Sequence, residues 1–134
     1  MILRAVLDTN ILVSGLLSPR GNPAQVLNAL RLRQFYLFYS NAVIDEYQEV
    51  LVRSKFGFPS ADVDDLVESI LSLGYPVIPV VSVVYLPDED DRAFYDTALS
   101  SASYLVTGNL KHYPDENWII SPVAFIRLLD QSVT

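Results

Sequence analysis

Cysteine is absent from the 134 residues, which excludes a disulfide framework and a thiolate zinc site, and the lone His112 rules out a histidine-rich one. Any metal ion must then be held by oxygen, and oxygen-rich sites favour Mg²⁺ or Mn²⁺. Positive charge is scarce too: 9 Lys and Arg face 16 Asp and Glu, giving a formal net charge of −7. Such a chain does not hold nucleic acid by general electrostatics, which relies on Lys and Arg neutralising phosphates. A cation bound on carboxylates can still present positive character to a phosphate at one point. No apolar run approaches the roughly 20 residues of a spanning helix, and no basic stretch followed by an apolar segment and cleavage site opens the chain. The expected location is the cytoplasm, with no membrane association.

What is abundant is apolar side chain, 51% of the residues, enough to build a core for a single domain spanning 1–134. The run Ile2 to Leu7 has the length and flanks of a buried strand ending at Asp8, after which Thr9-Asn10 turn the chain. Asn22-Pro23 starts a helix expected to reach Arg33. The aromatic stretch 35–39 reads as a second strand buried on both faces, ended by Ser40, which can cap a helix over roughly 41–53. A third helix is expected over 60–73 and one or two short strands within 76–85, where Pro79 disfavours an uninterrupted one. Asp88 opens an acidic helix running to about Ser101. Two short strands at 104–107 and 118–120 and a last helix from Ser121-Pro122 complete the pattern. Strands alternating with helices indicate an α/β domain, a three-layer α/β/α sandwich with a mainly parallel sheet.

In such sheets ligands bind beyond the carboxyl ends of the strands. Asp8, Ser40, Thr107 and Asn109 fall at such ends. Glu46 lies on the border of the apolar face of its helix, formed by Val43, Ile44, Tyr47, Val50 and Leu51, and can lean over the sheet edge. Asp91 falls on the stripe of Phe94, Tyr95, Ala98, Leu99 and Ala102, where a carboxylate aimed at the core side calls for a partner, a cation above all. The same projection turns Asp96 off the stripe.

Val6-Leu7-Asp8-Thr9-Asn10, Ser40, Glu46-Tyr47, Asp91 and Leu105-Val106-Thr107-Gly108-Asn109, in that order and spacing, resemble a PIN domain over nearly the whole chain. The likeness is greatest to the bacterial and archaeal toxin components of toxin–antitoxin systems, related to the VapC-like ribonucleases. It implies an endoribonuclease, a hydrolase of phosphodiester bonds dependent on Mg²⁺ or Mn²⁺, with Asp8, Glu46 and Asp91 matching the three core acids. It also implies a cognate antitoxin and a homodimer as partners. Asn109 stands where the family usually has a fourth acid, so a second metal position loses a charge. Asp96 matches a position that is often acidic and is a further metal candidate. Thr9, Asn10, Ser40 and Thr107 are candidates for orienting water or phosphate. Arg20, Arg53, Lys55, Arg92 and Lys111 are the cations available to RNA phosphates, Tyr113 could stack on a base, and His112 is expected to have no catalytic role.

Each of these residues also has a plain reading. Asp8-Thr9-Asn10 is good turn chemistry, Glu46 alone would be a solvated helix residue, and Asp91 would be part of a helix start. Asn109 suits a left-handed turn after Gly108, Ser40 and Thr107 suit local capping, and the basic residues are ordinary surface charges. Two other functions stay open. One is a catalytically weakened PIN fold that binds RNA or protein, prompted by Asn109; the other is an aspartyl phosphotransfer domain built on Asp8.

Overall fold

The computed structural model describes residues 2–132. In chain order it has β1 (Arg4–Leu7), α1 (Thr9–Leu17), α2 (Asn22–Arg31), β2 (Tyr36–Tyr39), α3 (Asn41–Leu51), α4 (Ser60–Leu73), β3 (Tyr75–Pro76), α5 (Arg92–Ser101), β4 (Tyr104–Val106), β5 (Ile119–Ile120) and α6 (Pro122–Ser132). The strands form one sheet in the order β3-β2-β1-β4-β5, parallel at every pairing. The expected α/β/α architecture is what the chain adopts. β1 is central because Ala5, Val6 and Leu7 are fully buried and pair with β2 on one side and β4 on the other. The chain winds outward from β1 to β3, then crosses to β4, so the strand order reverses beside the carboxyl end of β1. That is where an open parallel sheet leaves a crevice.

Helices cover the sheet with interlocking rings. Phe125 of α6 meets Phe35 edge to face with centroids 5.0 Å apart, and Tyr47 of α3 lies 6.1 Å from Phe94 of α5. Ser40 caps α3 by accepting the Val43 N–H, and it also accepts a hydrogen bond of 2.9 Å from the Thr97 hydroxyl, which ties the end of β2 to α5. Gly74, between α4 and β3, is there for space. A Cβ on it would stand 2.7 Å from the Ile70 carbonyl oxygen and 3.0 Å from the Tyr39 ring. Gly74→Ala should therefore cost about 1–3 kcal/mol by overpacking, read as a lower urea midpoint with an unchanged slope.

Five expectations from the sequence need correction. Thr9-Asn10 do not turn the chain; they open α1, whose apolar content hid its periodicity. The strand at 36–39 is not buried on both faces, since Tyr36 is exposed and Phe38 only half-buried at its outer pairing with the two-residue β3. Residues 77–86 form no strand: Val77 still donates its N–H to the Tyr39 carbonyl of β2, but beyond it the hydrogen bonds go to side chains of α5, Val80 N–H to Ser100 Oγ, Ser82 N–H to Asp96 Oδ2, and the Ser82 and Val84 carbonyls to Arg92. This strap makes a second buried face on α5, so Asp96 is buried, as is Thr97 against Ser40, whereas Leu99 is exposed, contrary to the single-stripe projection. The acidic start of that helix is a 3₁₀ turn, Glu89–Asp91, before α5 proper.

Candidate active site

Asp8 ends β1 and sits at the N-cap of α1, where its backbone is locked by the Asp8 N–H to Val106 carbonyl bond of 2.9 Å. Only 6% of it is exposed. Its Oδ2 accepts two hydrogen bonds, 2.9 Å from the Thr107 hydroxyl and 3.0 Å from the Tyr113 phenol. Burial raises its proton affinity above the ordinary carboxylate value, and those hydroxyls and the nearby His112 offset only part of the rise.

Thr107 is in turn held in place. Its Oγ1 accepts from the Asn10 amide at 3.3 Å and from the Asn109 N–H at 3.0 Å, while Asn10 Oδ1 accepts from the Gly108 N–H at 2.9 Å. The first turn of α1 and the end of β4 are thereby stitched together around one carboxylate. From the other side Tyr47, fully buried on α3, donates its hydroxyl to the Leu7 carbonyl just before Asp8. Burial next to Asp8 pushes both phenols, Tyr47 and Tyr113, well above the ordinary tyrosine range, so they stay protonated and remain donors.

Asp91, at the start of α5, is the second member. Its side chain is 15% exposed, and its Oδ2 is buried without a hydrogen bond, although His112 Nδ1 stands 3.3 Å away. Burial first and the Asp8 charge second push its pKa up to about 6, and His112 partly counters them. Glu46, half-exposed on α3, is raised by burial and then by Glu49, with Asp90 and Asp8 contributing less. It lines a groove of about 400 Å³ together with Ala42, Asp90, Ala93 and Phe94. The acids thus feel a shared field, strongest between Asp8 and Asp91. Among the described residues no three acidic or histidine side chains converge closely enough to chelate one ion directly.

Does a divalent ion fit these residues? The Asp91 Oδ2, buried without a well-aligned hydrogen bond and faced only by His112 Nδ1 at 3.3 Å, stands next to a second desolvated carboxylate, and a hard cation would satisfy both. Mg²⁺ in particular keeps several waters and needs only one or two carboxylates from the protein, so Asp8 and Asp91 would be enough to hold it. The donor set fits the ion.

Other sequence candidates are placed differently. Ser40 is turned inward as a cap, and the buried Thr9 hydroxyl has no partner. Asp96 faces the strap and accepts from Ser82, with its second oxygen unpaired. Asn109 lies on the loop after β4, beside Thr107. Tyr113 is buried on Asp8, which corrects its expected stacking on a base. Arg92 is engaged by Glu89, Ser82 and Val84 instead of facing solvent phosphates. Arg53 pairs with Glu49 beside the Glu46 groove, and Lys55 sits over the Phe56 ring. Arg20 follows α1, whose nine residues carry the chain about 13 Å from Asp8. Lys111 precedes His112 near the acids. The sequence reading missed the two tyrosines as positioning groups; a phenol beside a motif acid, as in Glu46-Tyr47, was the available signal.

A family profile described as PIN domain matches residues 4–111. No curated protein matches the sequence at a significant level. Among solved structures, the crystal structure of PAE2754 from Pyrobaculum aerophilum superposes with a TM-score of 0.62 over 97% of this chain and 90% of that one, at 15% identity. At that identity the likeness concerns the fold.

Proposed function

The chain belongs to the PIN domain family, whose members are typically metal-dependent nucleases, and from this premise we propose that it hydrolyses phosphodiester bonds in RNA with Mg²⁺ or Mn²⁺. The observation that carries this reading is the Asp8 carboxylate, buried at the end of the central strand, held on one oxygen by Thr107 and Tyr113, and close enough to Asp91 to raise its pKa.

Asp8 and Asp91 would hold the ion directly and Glu46 through water. The ion would supply charge to the scissile phosphate and acidify a water. Everything else belongs to the chain. Thr107 and Tyr113 both donate to Oδ2 and so fix the orientation of the Asp8 carboxylate. Asn10 and the Asn109 amide fix Thr107, and Tyr47 fixes the strand behind it. Of the candidate cations, Lys111 is the one left to meet an RNA backbone along the rim, a weak contact in a chain of net charge −7. By resemblance, the cellular role is the toxin of a toxin–antitoxin pair, restrained by a cognate antitoxin and acting as a homodimer in the cytoplasm. Among the described residues no helix is long and apolar enough to cross a membrane.

The test is cleavage of single-stranded RNA by purified protein with Mn²⁺, with Mg²⁺ and with chelator. Activity that ignores the chelator sinks the proposal. Asn109 gives a specific reason to keep a second reading, a PIN fold that binds RNA or a partner without cutting. Retained RNA or partner binding with no cleavage under any divalent ion would select that one. Asn109→Asp restores the charge usual at this position and should tighten Mn²⁺ binding about tenfold by calorimetry; an unchanged affinity would put Asn109 outside the site.

A further inference from the structure

Every donor of Arg92 is engaged. Nε and Nη2 grip the two oxygens of Glu89 at 2.6 and 2.7 Å. Nη1 reaches the Ser82 carbonyl at 3.0 Å and the Ser82 hydroxyl at 2.9 Å, and the second Nη2 hydrogen goes to the Val84 carbonyl at 2.6 Å. Together these use all the N–H bonds of a guanidinium. The side chain is only 19% exposed, so water screens the contacts less than it would a surface pair. One planar fork thereby joins the 3₁₀ turn Glu89–Asp91 to the strap.

Asp91 lies inside that clamp. It stands between Glu89 and Arg92, at the junction of the 3₁₀ turn with α5, and it closes a run of consecutive acids, 88–91, whose like charges would loosen an untied turn. Its carboxylate has little to hold it: among the described residues it meets only His112 Nδ1, at 3.3 Å. Asp8 is different, since Thr107 and Tyr113 fix its side chain directly. The direction of the Asp91 carboxylate must instead come from its backbone. That backbone is set by the Asp91 N–H to Asp88 carbonyl bond of 3.1 Å, by the Arg92 N–H to the Glu89 carbonyl, and by the side-chain clamp that closes over both. The strap has two further anchors on α5, Asp96 and Ser100, which accept the Ser82 and Val80 N–H. They follow Arg92 at intervals of four residues, each about 6 Å further along the helix from Asp91.

We propose that Arg92 is a positioning residue for the ion site, tying Glu89 to the strap so that the start of α5 is held rigid and the Asp91 carboxylate is aimed beside Asp8. Arg92 itself touches neither the ion nor RNA. Lysine could not replace it, because its donors sit on one atom and cannot grip a carboxylate along one edge and two backbone carbonyls along another. This inference rests on the reading of Asp8 and Asp91 as the groups that hold the ion, and it adds a residue that this reading does not contain.

Calorimetric titration with Mn²⁺ tests it, first on the wild type. A wild type that binds no Mn²⁺ would end the ion reading and this inference with it. With wild-type binding in hand, Arg92→Lys should weaken Mn²⁺ affinity about tenfold, as loss of an orienting partner does, and Glu89→Ala, which opens the clamp from its exposed side, should weaken it by a smaller factor. Ser100→Ala frees the strap roughly 12 Å along α5 from Arg92 and should leave the affinity unchanged. In metal-free protein the Asp91 amide should exchange with solvent faster in both clamp variants and at the wild-type rate in Ser100→Ala. In RNA cleavage, Arg92→Lys should lower kcat and leave KM for RNA unchanged. If Arg92→Lys does not fold, Glu89→Ala decides by the same measurements. A clamp variant that binds Mn²⁺ like a binding-competent wild type, a Ser100→Ala protein that loses as much affinity as Arg92→Lys, or a raised KM with unchanged Mn²⁺ affinity would each overturn the inference while leaving the ion reading in place.

Discussion

Asp8→Asn should lower Mn²⁺-dependent RNA cleavage on the order of a thousandfold or more while the protein stays folded. The substitution deletes the charge of the most deeply buried acid at the strand ends and scarcely changes volume. An amide oxygen can still accept from Thr107 and Tyr113, so the stitching between α1 and β4 survives. Stability should not suffer. Burial already disfavours the charged form of Asp8, so without metal the neutral amide removes a repulsive charge beside Asp91, and the melting temperature should hold or rise. Turnover at the wild-type rate would remove Asp8 from the chemistry, and a variant that unfolds would show that its role is structural instead.

The second large effect is on pH. Asp91 is raised from 3.8 to about 6, chiefly by burial and then by Asp8, so protons compete with a cation for it over a range where an ordinary carboxylate would not notice them. Mn²⁺ affinity should fall about tenfold for each pH unit below about 6, and more steeply once the raised Asp8 also takes a proton. The sign for folding runs the other way. A carboxyl whose folded pKa is raised binds protons more tightly when folded, so its stabilising contribution is full below 3.8 and is lost as pH rises through about 6. In chelator the melting temperature should therefore decline across that window, and Mn²⁺ should restore it at neutral pH. His112, 3.3 Å from Asp91, lowers that pKa when charged, so His112→Ala should move the affinity profile to higher pH. An affinity that is flat between pH 5 and about 7 would dismiss the coupling.

Much of the basic character available to RNA is used internally. Arg92 binds Glu89 and the strap, Arg53 pairs with Glu49, and Arg20 lies at the far end of α1. With so few free cations, substrate affinity should owe little to phosphate neutralisation, and the proposed ion site and the rim near Lys111 should carry recognition.

The sequence by itself determined the alternation of strands and helices, hence the parallel sheet, and it determined which acids lie at strand ends, because apolar runs and turn residues are local signals. Asp8 could be read that way, and so could the cap at Ser40, since each depends on neighbours within a few residues. What only the tertiary structure decided depends on elements far apart in the chain. Asp96 is buried because a strap from before α5 folds over it, a contact that a single-helix projection cannot contain. Tyr113 reaches Asp8 across 105 positions, and Thr107 across 99, through the pairing of β4 with β1. Periodicity records which face of an element is apolar; it carries no record of which distant surface covers that face, and the orientation of this carboxylate was settled by such a surface.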